Sequence, residues 1–328
     1  MFSQKVVNNL KNSSGIRAMF EEGERMRKIH GAKNVFDFTL GNPDMEPPIQ
    51  VRDAIKKYVC DDVEGIHKYM NNAGYMDVRE KVAASLTKET GVELKADNIV
   101  MTCGAAGGLN IVLKSILNPD EEVIVFAPYF VEYSFYIDNH GGKTVVVKPV
   151  TDTLEPDVDD LKSKITKNTK AIIINSPNNP TGIIYKEETL IKIAEILKEK
   201  QSEFGTEIYV ISDEPYNKLV YDGVKLPSLL KIFDNAIQGC SFSKSLSLPG
   251  ERIGFIAASP RIKEIDLLMD ALIFSNRVLG YVNAPSLFQK VIADSLDVTI
   301  DVEEYKKRRD LLYNHLISLG FECIKPQG

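Results

Sequence analysis

The chain has 328 residues, 44% of them hydrophobic and 26% charged, and its 46 Asp and Glu outnumber its 40 Lys and Arg for a net charge of −6. That length exceeds one small core and predicts a large domain with a smaller one, while the acidic balance excludes the basic stripe of a nucleic-acid surface. No uncharged apolar run is long enough to enter a bilayer, and the opening "MFSQKVVNNLKNSSGIR" lacks the apolar stretch and small-residue cleavage site of a signal peptide.

The predicted elements alternate. Residues 77–91, "DVREKVAASLTKETG", read as a helix capped by Asp77, with Glu80 three residues on and Gly91 as its stop. Short apolar runs bounded by turn residues follow: "NIVM" (98–101), "EVIVF" (122–126), "KTVVV" (143–147) and "KAIIIN" (170–175). Residues 187–200, "EETLIKIAEILKEK", carry apolar positions 190, 191, 193, 194 and 197, a broad stripe between charged ends. Then come "EIYVIS" (207–212), "NAIQGCSF" (235–242) and "RIGFIAAS" (252–259). Strands apolar on both faces and alternating with helices predict a mainly parallel sheet covered on both sides, a three-layer α/β/α architecture. Cys60, Cys103, Cys240 and Cys323 form no CxxC pair, and His30, His67, His140 and His315 lie far apart. Zinc, any other metal and a disulfide framework are therefore not expected, and a cytoplasmic setting is.

Open parallel sheets bind ligands at the carboxyl ends of their strands. At those ends stand "TCGAAGGLN" (102–110), "APYFVEY" (127–133), "NSPNNPTG" (175–182), "SDEPY" (212–216) and "SFSKSLSLPGER" (241–252). A helix entered from a Gly/Ala turn, several hydroxyls and an arginine make an anion site. A half-desolvated lysine becomes a nucleophilic amine. An aspartate can hold a heterocyclic nitrogen protonated, an asparagine and a tyrosine can bind a phenolate oxygen, and an aromatic ring can stack. Phosphate, aldehyde, pyridine nitrogen and phenolate together describe pyridoxal 5′-phosphate. Each segment also has a plainer reading: "SDEPY" as a turn, Asn179 as a turn former, Phe130, Tyr129 and Tyr133 as core aromatics, Cys103 as buried filler, and Arg252 as a surface charge.

"SPNNPTG", "SDEPY" and "SFSKSLSLPGER", in this order and spacing, resemble the signature segments of the class I/II aminotransferases, pyridoxal phosphate enzymes of fold type I, and the resemblance extends from "FTLGNPD" (38–44) onward. It implies that Lys244 forms the Schiff base and moves the proton, that Asp213 pairs with the pyridinium nitrogen, and that Tyr216 and Asn179 hold the ring oxygen. Arg252, Ser241 and Ser243, with the backbone of Gly104, Ala105 and Ala106, correspond to the phosphate cup, and Phe130 to the stacking aromatic. Tyr69, in "YMNNAG", matches a tyrosine that reaches the neighbouring subunit's phosphate, which implies a homodimer. Gly41 and Asn179 fall near the substrate, and Arg277 near where dicarboxylate-specific members place an arginine, although a structural or interface ion pair is the stronger reading.

The expected organisation is an arm over residues 1–45, a cofactor domain over 46–285 and the start of a small domain over 286–328. At "FECIKPQG" the family pattern opens a hairpin and continues to a carboxylate-binding arginine with no counterpart here, so the chain resembles a truncated member. The expected reaction moves an amino group between an amino acid and a 2-oxo acid. A β-lyase on the same scaffold and a non-catalytic cofactor-binding fragment are the alternatives. A cofactor-sensing regulator module ranks lower, for want of a DNA-binding extension, and a nicotinamide-binding fold lower still, since "GAAGGLN" is not GxGxxG.

Overall fold

The apolar runs do become strands. The computed structural model describes all residues except Met1, Ser13, Asp37, Thr39, Leu40 and Asp62, and all side chains except those and the others of residues 11–18 and 20. The chain forms two compact units, Met1–Asp44 and Met45–Gly328. The first holds helices α1 (Gln4–Asn12) and α2 (Ser14–His30).

In the second unit the strands are β1 (Ile99–Thr102), β2 (Glu122–Phe126), β3 (Lys143–Val147), β4 (Thr169–Asn175), β5 (Tyr209–Asp213), β6 (Ala236–Ser241) and β7 (Gly254–Ala258). The helices are α3 (Ile49–Cys60), α4 (Met76–Thr90), α5 (Gly104–Ile116), α6 (Glu132–Asn139), α7 (Val158–Lys164), α8 (Glu187–Phe204), α9 (Leu229–Ile232), α10 (Phe242–Ser245), α11 (Ile265–Val278), α12 (Ser286–Ala293) and α13 (Val302–Ser318). The sheet order is β1-β7-β6-β5-β4-β2-β3. All neighbours pair parallel except β7, which runs antiparallel to both β1 and β6.

Strand side chains alternate between two cores, as a two-residue period requires. Ile99, Met101, Ile124, Phe126, Ile172 and Ile174 enter one core with side chains of α3, α4, α8 and α12. Val100, Val123, Val125, Ala171, Ile173 and Ile211 enter the other with those of α5, α6 and α11. The expected three-layer arrangement is thus present. At the sheet edge β3 departs from it, with Val146 38% exposed.

The first predicted helix begins at Met76, with Tyr75 as its N-cap residue, and ends on left-handed Gly91. Asp77 caps nothing there; in the first turn its carboxylate meets Lys290 Nζ of α12 at 2.8 Å, a tertiary pairing that sequence spacing does not reveal. Among the described residues no helix is long and apolar enough to cross a membrane, and no group of three or more His, Cys, Asp or Glu is placed to hold a metal ion.

Candidate active site

The register aligns the site. Asn175 at the end of β4 pairs with Asp213 at the end of β5, and Asp213 pairs with Gly239 of β6. Further along, Ser241 pairs with Gly254 of β7, which in turn pairs with Thr102 at the end of β1. Strand ends that are distant in sequence therefore form one continuous rim.

Asp213 is its buried acid, 5% exposed. The Tyr133 hydroxyl donates to Oδ2. Oδ1 is buried with no hydrogen-bond partner among the described residues. Burial pushes this carboxyl up to about 6, with the Tyr133 hydrogen bond opposing the rise. Asn175 braces the same point: its Nδ2 donates to the Asp213 carbonyl at 2.8 Å, and its Oδ1 accepts the Asn179 backbone N–H at 2.6 Å. Asn179 Nδ2 then donates to the Tyr216 hydroxyl at 3.3 Å. Burial, followed by the charge of Asp213, raises the Tyr216 phenol above its ordinary value.

Ser241 closes β6 and caps α10, its Oγ accepting the Ser243 N–H at 3.1 Å and lying 2.7 Å from Ser243 Oγ. Both serines are buried. Lys244 sits half-buried one residue on, and that burial lowers the pKa of its ammonium. Arg252 adopts a left-handed conformation (φ 52°) and donates from Nη1 to the Pro249 carbonyl at 2.9 Å. A Cβ on Gly104 would stand 3.1 Å from Arg252 Nη2, so the guanidinium lies against the start of α5. There the N–H groups of the first turn, including those of Ala105 and Ala106, have no carbonyl of their own helix to meet. A guanidinium, a helix N-terminus and hydroxyls on one rim are the kinds of group that can cradle an anion.

Phe130 is half-buried and meets Tyr133 edge-on, with centroids 5.6 Å apart. Tyr69 stands outside this set, 93% exposed. Arg277, near the end of α11, is exposed and lies over the Phe274 ring at 5.3 Å. Gly41 belongs to the Met1–Asp44 unit, and Thr39 and Leu40 of its segment lie outside the described residues. Cys103 is half-buried rather than fully packed; burial pushes its thiol up while Arg252 pulls it down.

Sequence reasoning passed over three participants. Asn175 was legible as the one polar residue ending an apolar run. Tyr133, read as a core aromatic, is that and also the donor to Asp213. Gly254 is required by close approach, because a Cβ there would lie 2.3 Å from the Cys240 carbonyl oxygen and 3.0 Å from Gly104 Cα. A second buried acid, Glu214, accepts from Ser212 Oγ and from Gln238 Nε2 (2.9 Å), and its burial raises the carboxyl to about 7.

Residues 33–328 match the family model described as aminotransferase class I and II. A probable N-acetyl-LL-diaminopimelate aminotransferase of Bacillus subtilis is 32% identical, over 90% of this chain and 73% of that one. An aspartate aminotransferase of Pyrococcus horikoshii is 30% identical, over 96% and 78%. Among solved structures, an amino transferase from Eubacterium rectale superposes with a TM-score of 0.96 at 40% identity, covering 100% of this chain and 83% of that one. The Thermus thermophilus aspartate aminotransferase with maleate gives 0.83 at 27%, covering 95% and 80%. A chain with this sheet and this rim, matched along nearly its whole length, belongs to the class I and II aminotransferases.

Proposed function

We propose that the chain transfers amino groups between an amino acid and a 2-oxo acid with pyridoxal 5′-phosphate as its cofactor, held covalently by Lys244. The observation that carries this reading is Asp213 Oδ1, a buried carboxylate oxygen without a partner among the described residues, on the same rim as a half-desolvated lysine. A buried anion left unpaired is costly, and a protonated ring nitrogen is the group that removes the cost. When bound, the cofactor supplies an electron sink for carbanion charge at the substrate Cα.

The chain's own residues do the rest. Lys244 Nζ, its pKa lowered by burial, serves as nucleophile and afterwards as the acid and base that moves the substrate Cα proton. Asp213 keeps the ring nitrogen protonated. Asn179 and Tyr216, already paired, bind the ring oxygen. Arg252, Ser241, Ser243 and the first turn of α5, from Gly104 to Ala106, hold the phosphate, and Phe130 packs on the ring. The parts given to Tyr69, across a subunit boundary of a homodimer, and to Gly41 and Arg277, toward the substrate, rest on the resemblance alone. Four free cysteines support a cytoplasmic setting. We place the start of the small domain at residue 286.

Borohydride reduction in the presence of the cofactor tests this reading. Peptide mapping is expected to find the label on Lys244 and to find none in Lys244→Ala. Label persisting at another lysine in that variant overturns the assignment. An amino-donor panel with 2-oxoglutarate, beginning with aspartate, then defines the substrate.

A further inference from the structure

Tyr133 carries a hydroxyl that packing does not need. It is 1% exposed and belongs to the same core as Val123, Val125 and Ile137, with Phe130 against its ring edge-on. A phenylalanine would fill that volume equally, and a phenol O–H taken out of water is unfavourable unless it finds an acceptor. The acceptor is Asp213 Oδ2. An aspartate carboxylate has only a broad preference about its last torsion, and the hydrogen bond from the Asn175 side chain to the Asp213 carbonyl fixes the main chain without fixing that torsion. A tyrosine seated in a packed core is a stiff donor, so tying Oδ2 to it sets the plane of the carboxylate and leaves Oδ1 as the one unpaired oxygen.

We propose that Tyr133 is a positioning residue that locks the Asp213 carboxylate so that Oδ1 alone is presented to the cofactor's ring nitrogen. This rests on the reading of Asp213 given above, and it predicts a coupling visible only when that nitrogen is present.

The test compares dissociation constants of pyridoxal 5′-phosphate and of its analogue with CH in place of the ring nitrogen, for the cofactor-free wild type and Tyr133→Phe. The wild type is expected to prefer the natural cofactor, and Tyr133→Phe to reduce that preference about tenfold while leaving affinity for the analogue unchanged. In an Asp213→Asn background the same substitution is expected to have no effect on the preference. Equal weakening of both ligands, or an effect that persists without the carboxylate, overturns the proposal and leaves Tyr133 a packing residue. A wild type that does not distinguish the two ligands overturns the assignment of Asp213 itself. Thermal melting of each cofactor-free protein separates these outcomes from loss of fold.

Discussion

Asp213 holds a charge where the fold alone would prefer none. Its carboxyl rises from an ordinary 3.8 to about 6 because it is buried. Between those values the unfolded chain gives up its proton while the folded chain keeps it, so stability falls as the pH climbs through that window. Above about pH 6 the full penalty, on the order of 3 kcal/mol, is in force. Asp213→Asn should therefore stabilise the cofactor-free protein by about 1–3 kcal/mol at pH 8, with the gain fading toward pH 4, and should weaken cofactor binding. Urea unfolding at the two pH values checks this; a gain that does not change with pH would contradict it. That Lys244, Asp213, Asn179, Tyr216 and Arg252 would lie along one rim was legible, because each stands in a segment beside a strand end. Asn175 left only the trace of a polar residue ending an apolar run, and the hydroxyl of Tyr133 left none, because support of one polar group by another across the sheet has no period in the chain.

The elements were more legible than their directions. β2 and β3 fall on the expected residues, and β1 slips by one, since flanking polar residues pair as readily as apolar ones. The reversal of β7 did have a signal: a parallel return is usually carried by a helix that crosses the sheet face. The connection after β6 holds only α10 and the turn at Pro249–Glu251. At its end Gly254 lets β7 approach β6 and the turn into α5 together. Gly254→Ala is expected to cost at least about 2 kcal/mol, because the obstacle is backbone on both sides, and to loosen the anion cradle. Unchanged melting and unchanged cofactor affinity would refute that reading.

At the scale of the whole molecule, a 93% exposed tyrosine is the clearest sign of unfinished business. The segment that carries it is firmly held. Asn72 Nδ2 donates to the Val282 carbonyl at 2.9 Å, Asn283 Nδ2 to the Asn71 carbonyl at 2.8 Å, and Asn276 Nδ2 to the Asn72 carbonyl at 2.8 Å. A pinned segment presenting an aromatic to solvent suits a second copy of the chain. Sedimentation should give a dimer, and Tyr69→Ala should raise the cofactor dissociation constant several-fold without lowering the melting temperature; a monomer with full cofactor affinity would refute both. Sequence reading reached this expectation only through resemblance, because an intermolecular contact imposes no local pattern on the residues that make it.

The reversed seventh strand has one more consequence. The amine and the guanidinium sit on a single short link between neighbouring strands, so their separation is set by a hairpin-like tether and not by distant helices coming to rest. Pairing of β6 with β7 is thus the one strand contact that brackets both Lys244 and Arg252.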